Sequence, residues 1–363
     1  MKENKKILAF VCMSLDKMAG GLERQIIRTA KSLSDSGFKV ILITYDNKSA
    51  ESFYKVPKDI EWVKCGIGLS PHQGAPILRR LKQIFFLRKK LLFRKVTHLI
   101  TFHHGLFPRS LLASLFLPIK NIVSERNSLN NYKYIKLSKF NLGFLSLIFA
   151  NKITVQLDAY VDEYPKLFKN KIEVIPNFIK PPLPKSKNPA LNSKKVLMLG
   201  RLCAQKNYSL ILDQFKNIDS KPFEIKIAGE GELRTKFEYE YKDILDSNKV
   251  KLVGNIKDVD NFLLKGSIFC FPSLWEGYPN ALVEALRVGL PIITTSRMAN
   301  LSDFIEHNVN GLIVDDSKLF KALSYLIENE NILKRMSYES KLKYYKLYFK
   351  SPKKLWNKLI DNL

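Results

Sequence analysis

The sequence predicts an α/β protein built from two Rossmann-like, doubly wound domains, and three observations carry that expectation. Short β-rich runs alternate with helical patterns along the whole chain, the alternation falls into two series, and a proline-rich stretch separates them. Alternating strands and helices imply parallel sheets covered on both faces, because a parallel connection needs a crossover that the helix supplies.

In the first series Ile7–Val11, Lys39–Thr44, His98–Phe102, Asn121–Ser124 and Lys152–Val155 read as strands, with a helix over Leu22–Leu33 after the first. The second series begins at Lys195–Leu199 and continues through Phe223–Ala228, Val250–Val253, Ser267–Phe271 and Pro291–Thr295, each followed by a helical pattern. Between them Pro176–Lys194 holds prolines 181, 182, 184 and 189, which fit neither a sheet nor a helix interior, so this stretch reads as a semi-rigid extended linker. The expected domains are 1–180 and 190–350, with a terminal helix at about 351–363 packing back onto the first. Two such domains leave a cleft at the carboxyl ends of their sheets, where ligands of this fold class bind.

At 363 residues the chain is long enough for two cores, and an apolar share of 46% suits a globular protein. Its four cysteines have no paired spacing, which points to buried thiols and away from a disulfide framework or a zinc site. No apolar run is long enough for a transmembrane helix or a signal-peptide core, so a soluble or peripheral protein is expected. The net charge of +26 asks for an anionic partner, and between Trp62 and Leu157 stand sixteen Lys or Arg against one acid, Glu125. Anionic lipid, a diphosphate-bearing acceptor or nucleic acid would each answer that charge.

The second series opens with Gly200-Arg201 at a strand end, followed by Lys206-Asn207. Paired cations there suit a diphosphate, the leaving group of nucleotide-sugar chemistry. Two solvated charges in a lysine-rich protein are the plainer alternative. Gly229-Glu-Gly231 follows the next strand, a weak signal because glycine serves any tight turn. The strongest string is Glu276-Gly277-Tyr278-Pro279-Asn280-Ala-Leu-Val-Glu284. It sets one carboxylate beyond a strand end and a second inside the next helix, with Pro279 and Asn280 at the helix entry. Glu284, one turn in, suits vicinal ribose hydroxyls.

These motifs resemble the retaining glycosyltransferases of the GT4 type, which have the GT-B fold. The glutamate pair with seven residues between, the Gly-Arg…Lys-Asn segment, Val174-Ile-Pro-Asn177, the Gly229–Gly231 turn, Asn310-Gly-Leu312 and the N-terminal Gly20-Gly21-Leu22-Glu23-Arg24 occur in that family's order over nearly the whole chain. The resemblance implies catalytic work by Glu276, Arg201, Lys206 and Arg126. It implies donor binding by Gly20, Gly21, Gly200, Arg201, Lys206, Gly229, Glu276, Gly277, Tyr278, Pro279, Asn280 and Glu284, with Glu284 on the ribose and Glu276 on the sugar. It implies acceptor binding by Arg24, His103, His104 and Glu125. Arg126 stands where many members carry a histidine, while His103 and His104 end the preceding strand, so which of them assists catalysis stays open. No metal cofactor is expected: Asp258-Val-Asp260 looks like a metal-binding pair, but its place after a strand makes Asp258 a helix N-cap.

Residues Ile77–Val96 carry an apolar stripe at 78, 81, 85, 92 and 96 amid Arg79, Arg80, Lys82, Arg88, Lys89, Lys90, Arg94 and Lys95, without an acid. A basic amphipathic helix suits an anionic membrane surface; a core-packed helix with a solvated basic back is the alternative. The expected activity is transfer of a hexose or N-acetylhexosamine from a nucleotide-sugar, a UDP-sugar, to a lipid-linked glycan, peripherally on the inner face of the cytoplasmic membrane. A same-fold enzyme acting on a soluble glycan or a nucleotide sugar is one rival. A basic nucleic-acid-binding protein is the other, and it has no module signature here.

Overall fold

The computed structural model describes residues 6–18, 20–66, 77–129, 141–218, 222–298 and 301–363. The chain forms two compact units, Met1–Phe178 with Ser351–Leu363, and Ile179–Lys350.

The first unit holds a seven-stranded, fully parallel sheet in the order β3-β2-β1-β4-β5-β6-β7. The strands are β1 (Ile7–Cys12), β2 (Lys39–Thr44), β3 (Glu61–Lys64), β4 (His98–Phe102), β5 (Lys120–Ser124), β6 (Lys152–Val155) and β7 (Ile172–Val174). β1, β2, β4 and β5 are buried almost throughout, as strands covered on both faces must be, which is why they read as unbroken apolar runs. One face packs on helix α1 (Gly21–Ser34) through Ile26, Ala30 and Leu33, together with Trp356, Leu359 and Ile360 of the last helix, Pro352–Asp361. The other face takes Leu87 and Leu91 of helix α2 (Ile77–Phe93) and Ala113 of helix α3 (Phe107–Ser114).

The second unit has a six-stranded parallel sheet in the order β10-β9-β8-β11-β12-β13. Its strands are β8 (Lys195–Leu199), β9 (Glu224–Ala228), β10 (Val250–Gly254), β11 (Ile268–Phe271), β12 (Ile292–Thr295) and β13 (Gly311–Val314). In both sheets the order of successive strands reverses at the first strand of the unit, beside β1 and β8, which makes the carboxyl ends of those strands the natural ligand position.

Three strands absent from the sequence reading are β3, β7 and β13, all at sheet edges and three or four residues long. The proline-rich stretch, expected as a spacer, is strapped along the second unit. The Tyr344 hydroxyl donates to Lys180 O at 2.5 Å, Arg287 Nε to Pro181 O at 2.6 Å and Lys341 Nζ to Lys187 O at 3.0 Å. Among the described residues no helix is long and apolar enough to cross a membrane.

Candidate active site

In the second unit the ends of β8 and β9 meet as closely as the backbone permits. A Cβ on Gly229, where φ is +140°, would lie 2.0 Å from Gly200 O, so only glycine fits. Gly200, at φ +151°, leaves room for the Lys206 stem: a Cβ there would stand 2.7 Å from Lys206 Cε. Arg201 is exposed and has no ion pair or hydrogen bond among the described residues.

The loop after β8 is stitched to the loop after β11. Leu274 N–H donates to Gln205 O at 2.8 Å, Gln205 Nε2 to Trp275 O at 2.7 Å, and Asn207 Nδ2 to Pro272 O at 3.3 Å. These bonds bring Lys206 Nζ to 2.5 Å from Glu276 Oε1, with side-chain exposures of 14% and 10%. The same ammonium lies 5.4 Å over the Phe271 ring. The helix Asn280–Val288 starts directly after Pro279, and its ladder opens with Val283 N–H on Pro279 O at 3.0 Å. The Asn280 N–H donates to Tyr278 O at 2.8 Å, outside that ladder. Glu284, one turn in, is buried. The Tyr278 side chain is core: it stacks edge-on against Phe304 at 5.3 Å, and burial pushes its phenol up. Its segment therefore presents backbone and Gly277, not the phenol. Asp258 accepts the Asn261 N–H at 3.0 Å as a helix cap, and Asp260 is held by Arg287 at 2.6 Å and Lys180 at 3.1 Å.

In the first unit, α1 begins after Gly20, over which the Glu23 carboxylate folds back, and Gly21 is exposed. Arg24 is half-buried on the first turn. At the end of β4, His103 adopts φ +86°, its Nδ1 accepts the Gly105 N–H at 2.9 Å, and its ring stacks on His104 at 4.4 Å. Burial holds the His103 pKa below its usual value, so the ring is neutral at physiological pH. His104 and Glu125 have no exposed surface. The His104 backbone N–H donates to Glu125 Oε1, and His104 Nδ1 lies 2.9 Å from the same oxygen. Burial works against the Glu125 charge, but His104, by charge and hydrogen bonds, and His103 together keep its pKa below the usual carboxylate value. His104 and Glu125, expected at the acceptor, form a buried pair packed with His103. Half-buried Arg126 donates from Nη1 to Asn177 Oδ1 at 2.9 Å and lies 5.1 Å from the Phe102 ring centroid. Its Nε and Nη2 have no hydrogen-bond partner among the described residues, and burial lowers its pKa to about 10.

Residues 180–343 match the model of glycosyl transferases group 1. The chain is 27% identical over 350 residues to an uncharacterized glycosyltransferase of Haemophilus influenzae, covering 93% of this chain and 95% of that one. It is also 27% identical over 364 residues, covering 97% and 98%, to the GalNAc-alpha-(1->4)-GalNAc-alpha-(1->3)-diNAcBac-PP-undecaprenol alpha-1,4-N-acetyl-D-galactosaminyltransferase of Campylobacter jejuni. The chain is a glycosyltransferase, and its second unit is similar to the group 1 family. Its fold is GT-B: Staphylococcus aureus TarM, solved with UDP, superposes with a TM-score of 0.78 at 13% identity, over 98% of this chain and 99% of that one.

Within this glycosyltransferase Gly200, Gly229, Lys206 and Glu276 are brought together, and one partnership among them was not anticipated. Lys206 and Glu276, assigned separately to diphosphate and sugar, hold each other. Gln205 was missed, and its only sequence signal is its place between Arg201 and Lys206. The helix α2 turns Leu78, Leu81, Phe85, Leu92 and Phe93 outward while Leu87 and Leu91 face the core, so both of its faces carry apolar surface. Arg88 and Arg94 serve the protein: Arg88 Nη1 donates to Leu115 O at 2.8 Å, and Arg94 Nε to Glu61 Oε2 at 3.0 Å. Arg79, Lys82 and Lys89 have no such partner among the described residues.

Proposed function

We propose that this glycosyltransferase is a retaining enzyme that moves a hexose or N-acetylhexosamine from a UDP-sugar to a lipid-linked, diphosphate-bearing glycan at an anionic membrane surface. The observation that carries the donor half is the Lys206–Glu276 pair at glycine-lined strand ends, with Arg201, exposed and without a partner among the described residues, on the same loop as Lys206. Arg201 and Lys206 bind the donor diphosphate. Glu276 takes the sugar hydroxyls with the Gly277–Asn280 backbone, and Glu284 takes the ribose. UDP in the similar TarM structure supports the choice of nucleotide.

In the transfer the bond from the anomeric carbon to the diphosphate oxygen breaks, and its electron pair leaves with the diphosphate. The acceptor hydroxyl oxygen bonds to the same carbon from the same face, and its proton passes to the departing diphosphate. Arg201 and Lys206 stabilise the charge that develops on the leaving group, so the step needs no divalent metal. Neutral His103 is a contact for the sugar or the acceptor hydroxyl, and Arg126, with Nε and Nη2 unengaged among the described residues, is a contact for an anion. The undecaprenol-linked substrate named for the Campylobacter relative supports the acceptor class. The outward apolar and basic surface of α2 supports the membrane, on the inner face of the cytoplasmic membrane where nucleotide-sugars are found.

The test is paired. Glu284→Ala should weaken UDP binding by about 1.5–3 kcal/mol, roughly tenfold or more, and Glu276→Ala should lower turnover with a smaller loss of UDP affinity. Turnover should also survive EDTA. Wild-type titration and turnover in both variants would remove the donor assignment.

A further inference from the structure

A cavity of about 640 Å³ lies within the second unit, between residues 182–191 and the helix Glu330–Phe349. Pro182, Leu183 and Leu191 form one wall, and the rings of Tyr338, Tyr344 and Tyr345 form the other. Four cations line it and no carboxylate does. Two of the four are already neutralised, Arg287 by Asp260 at 2.6 Å and Lys334 by Glu330 at 2.7 Å.

Lys185 and Lys341 have no carboxylate partner among the described residues. Lys341 Nζ reaches only neutral oxygens, Lys187 O at 3.0 Å and Asn188 Oδ1 at 2.6 Å, and burial lowers its pKa. Its stem crosses Gly289, where a Cβ would stand 2.7 Å from Lys341 Cε. The backbone thus leaves a channel that aims this ammonium at the cavity. Two uncompensated ammonium groups beside aromatic and aliphatic walls match a dianionic head on an apolar body; a phosphate monoester carries about −1.5 to −2 at neutral pH.

We propose that this cavity binds a phosphate monoester bearing an apolar tail or ring, with Lys185 and Lys341 on the phosphate and the tyrosine wall along the body. The site is separate from the donor cluster. It borders Arg287, at the far end of the helix that Asn280 opens, about 10 Å along the axis. Because residues 182–191 are one wall, an occupant fastens the stretch that enters this unit to its longest helix.

The test uses an alkyl phosphate carrying a photoreactive diazirine, irradiated with the full-length protein and mapped by peptide. Saturable labelling should fall on 182–191 and 334–345. Dodecyl phosphate or phenyl phosphate should protect, the better of them telling a lipid from an aryl source, while inorganic phosphate should not. Lys341→Met should raise the half-saturating concentration at least tenfold and Lys185→Gln severalfold, both with UDP affinity unchanged. Lys185 is exposed, so its variant carries the test even if Lys341→Met folds poorly. Labelling confined to 77–116, equal protection by inorganic phosphate, or unchanged half-saturation in Lys185→Gln would overturn the proposal.

Discussion

Lys206 and Glu276 share one contact, at 2.5 Å, in a place where little of either side chain meets water. Each therefore has a folding role beside any role toward substrate. Removing one partner strands a charge in a low-dielectric setting, which for a buried pair costs about 3–5 kcal/mol. Lys206→Met should lower the melting temperature by several degrees, and adding Glu276→Gln should recover much of that loss, because the stranded charge is then gone too. Arg201→Met should stay within about 0.5 kcal/mol of the parent, since its side chain is exposed and unengaged among the described residues. Both single variants should lose transfer. Thermal unfolding of all four proteins reads the contrast, and equal melting of Lys206→Met and Arg201→Met would show that the ion pair contributes nothing to stability.

At the scale of elements, β4 opens on His98, 4% exposed. Burial first, then Lys6 and Lys120, press its pKa down to about 4. The unfolded chain takes its proton near 6.5, so as pH falls from about 6.5 to 4 the unfolded state binds the proton before the folded one. Stability is then lost across that window, by about 3 kcal/mol. Urea midpoints measured from pH 7 to 4.5 should show this slope, and His98→Gln should flatten it. Which elements were legible in the sequence follows the same physics of burial. Inner strands such as Leu8–Val11 and Ile268–Phe271 are apolar on both faces and announce themselves. β3, as Glu-Trp-Val-Lys, and β7, as Ile-Glu-Val, are edge strands whose half-wet sides dilute the pattern to nothing detectable. The second-unit site was legible because its chemistry lies in one string and one loop. The burial of Glu125 under His103 was not, since it depends on β4 and β5 being neighbours, which local pattern does not encode.

For the whole molecule, the net charge of +26 has an unequal distribution, and the structure sorts the cations by whether the protein uses them. On α2, Arg88 and Arg94 are committed to protein partners, whereas Arg79, Lys82, Lys89 and the following Lys95 are not. Replacing those four by Gln should release the protein from anionic vesicles, each cation contributing about 1 kcal/mol and less as salt rises. UDP affinity should not change. Phe85→Ser with Phe93→Ser should weaken the same binding with a shallower salt dependence, because apolar insertion is not screened. Vesicle binding that survives the four-Gln variant would assign α2 to the bland role of a solvated basic helix.

The last helix has one more consequence, on the ribosome. Trp356, Leu359 and Ile360 complete an apolar layer whose other members, among them Phe10, Ile26 and Leu33, come before the second unit in the chain. Roughly 170 residues of the second unit are translated in between, about 10–30 s of elongation. During that interval the half of the enzyme made first waits with an uncovered floor, while the half made second already has every strand it needs. Order of birth and order of completion are thus opposite for the two units.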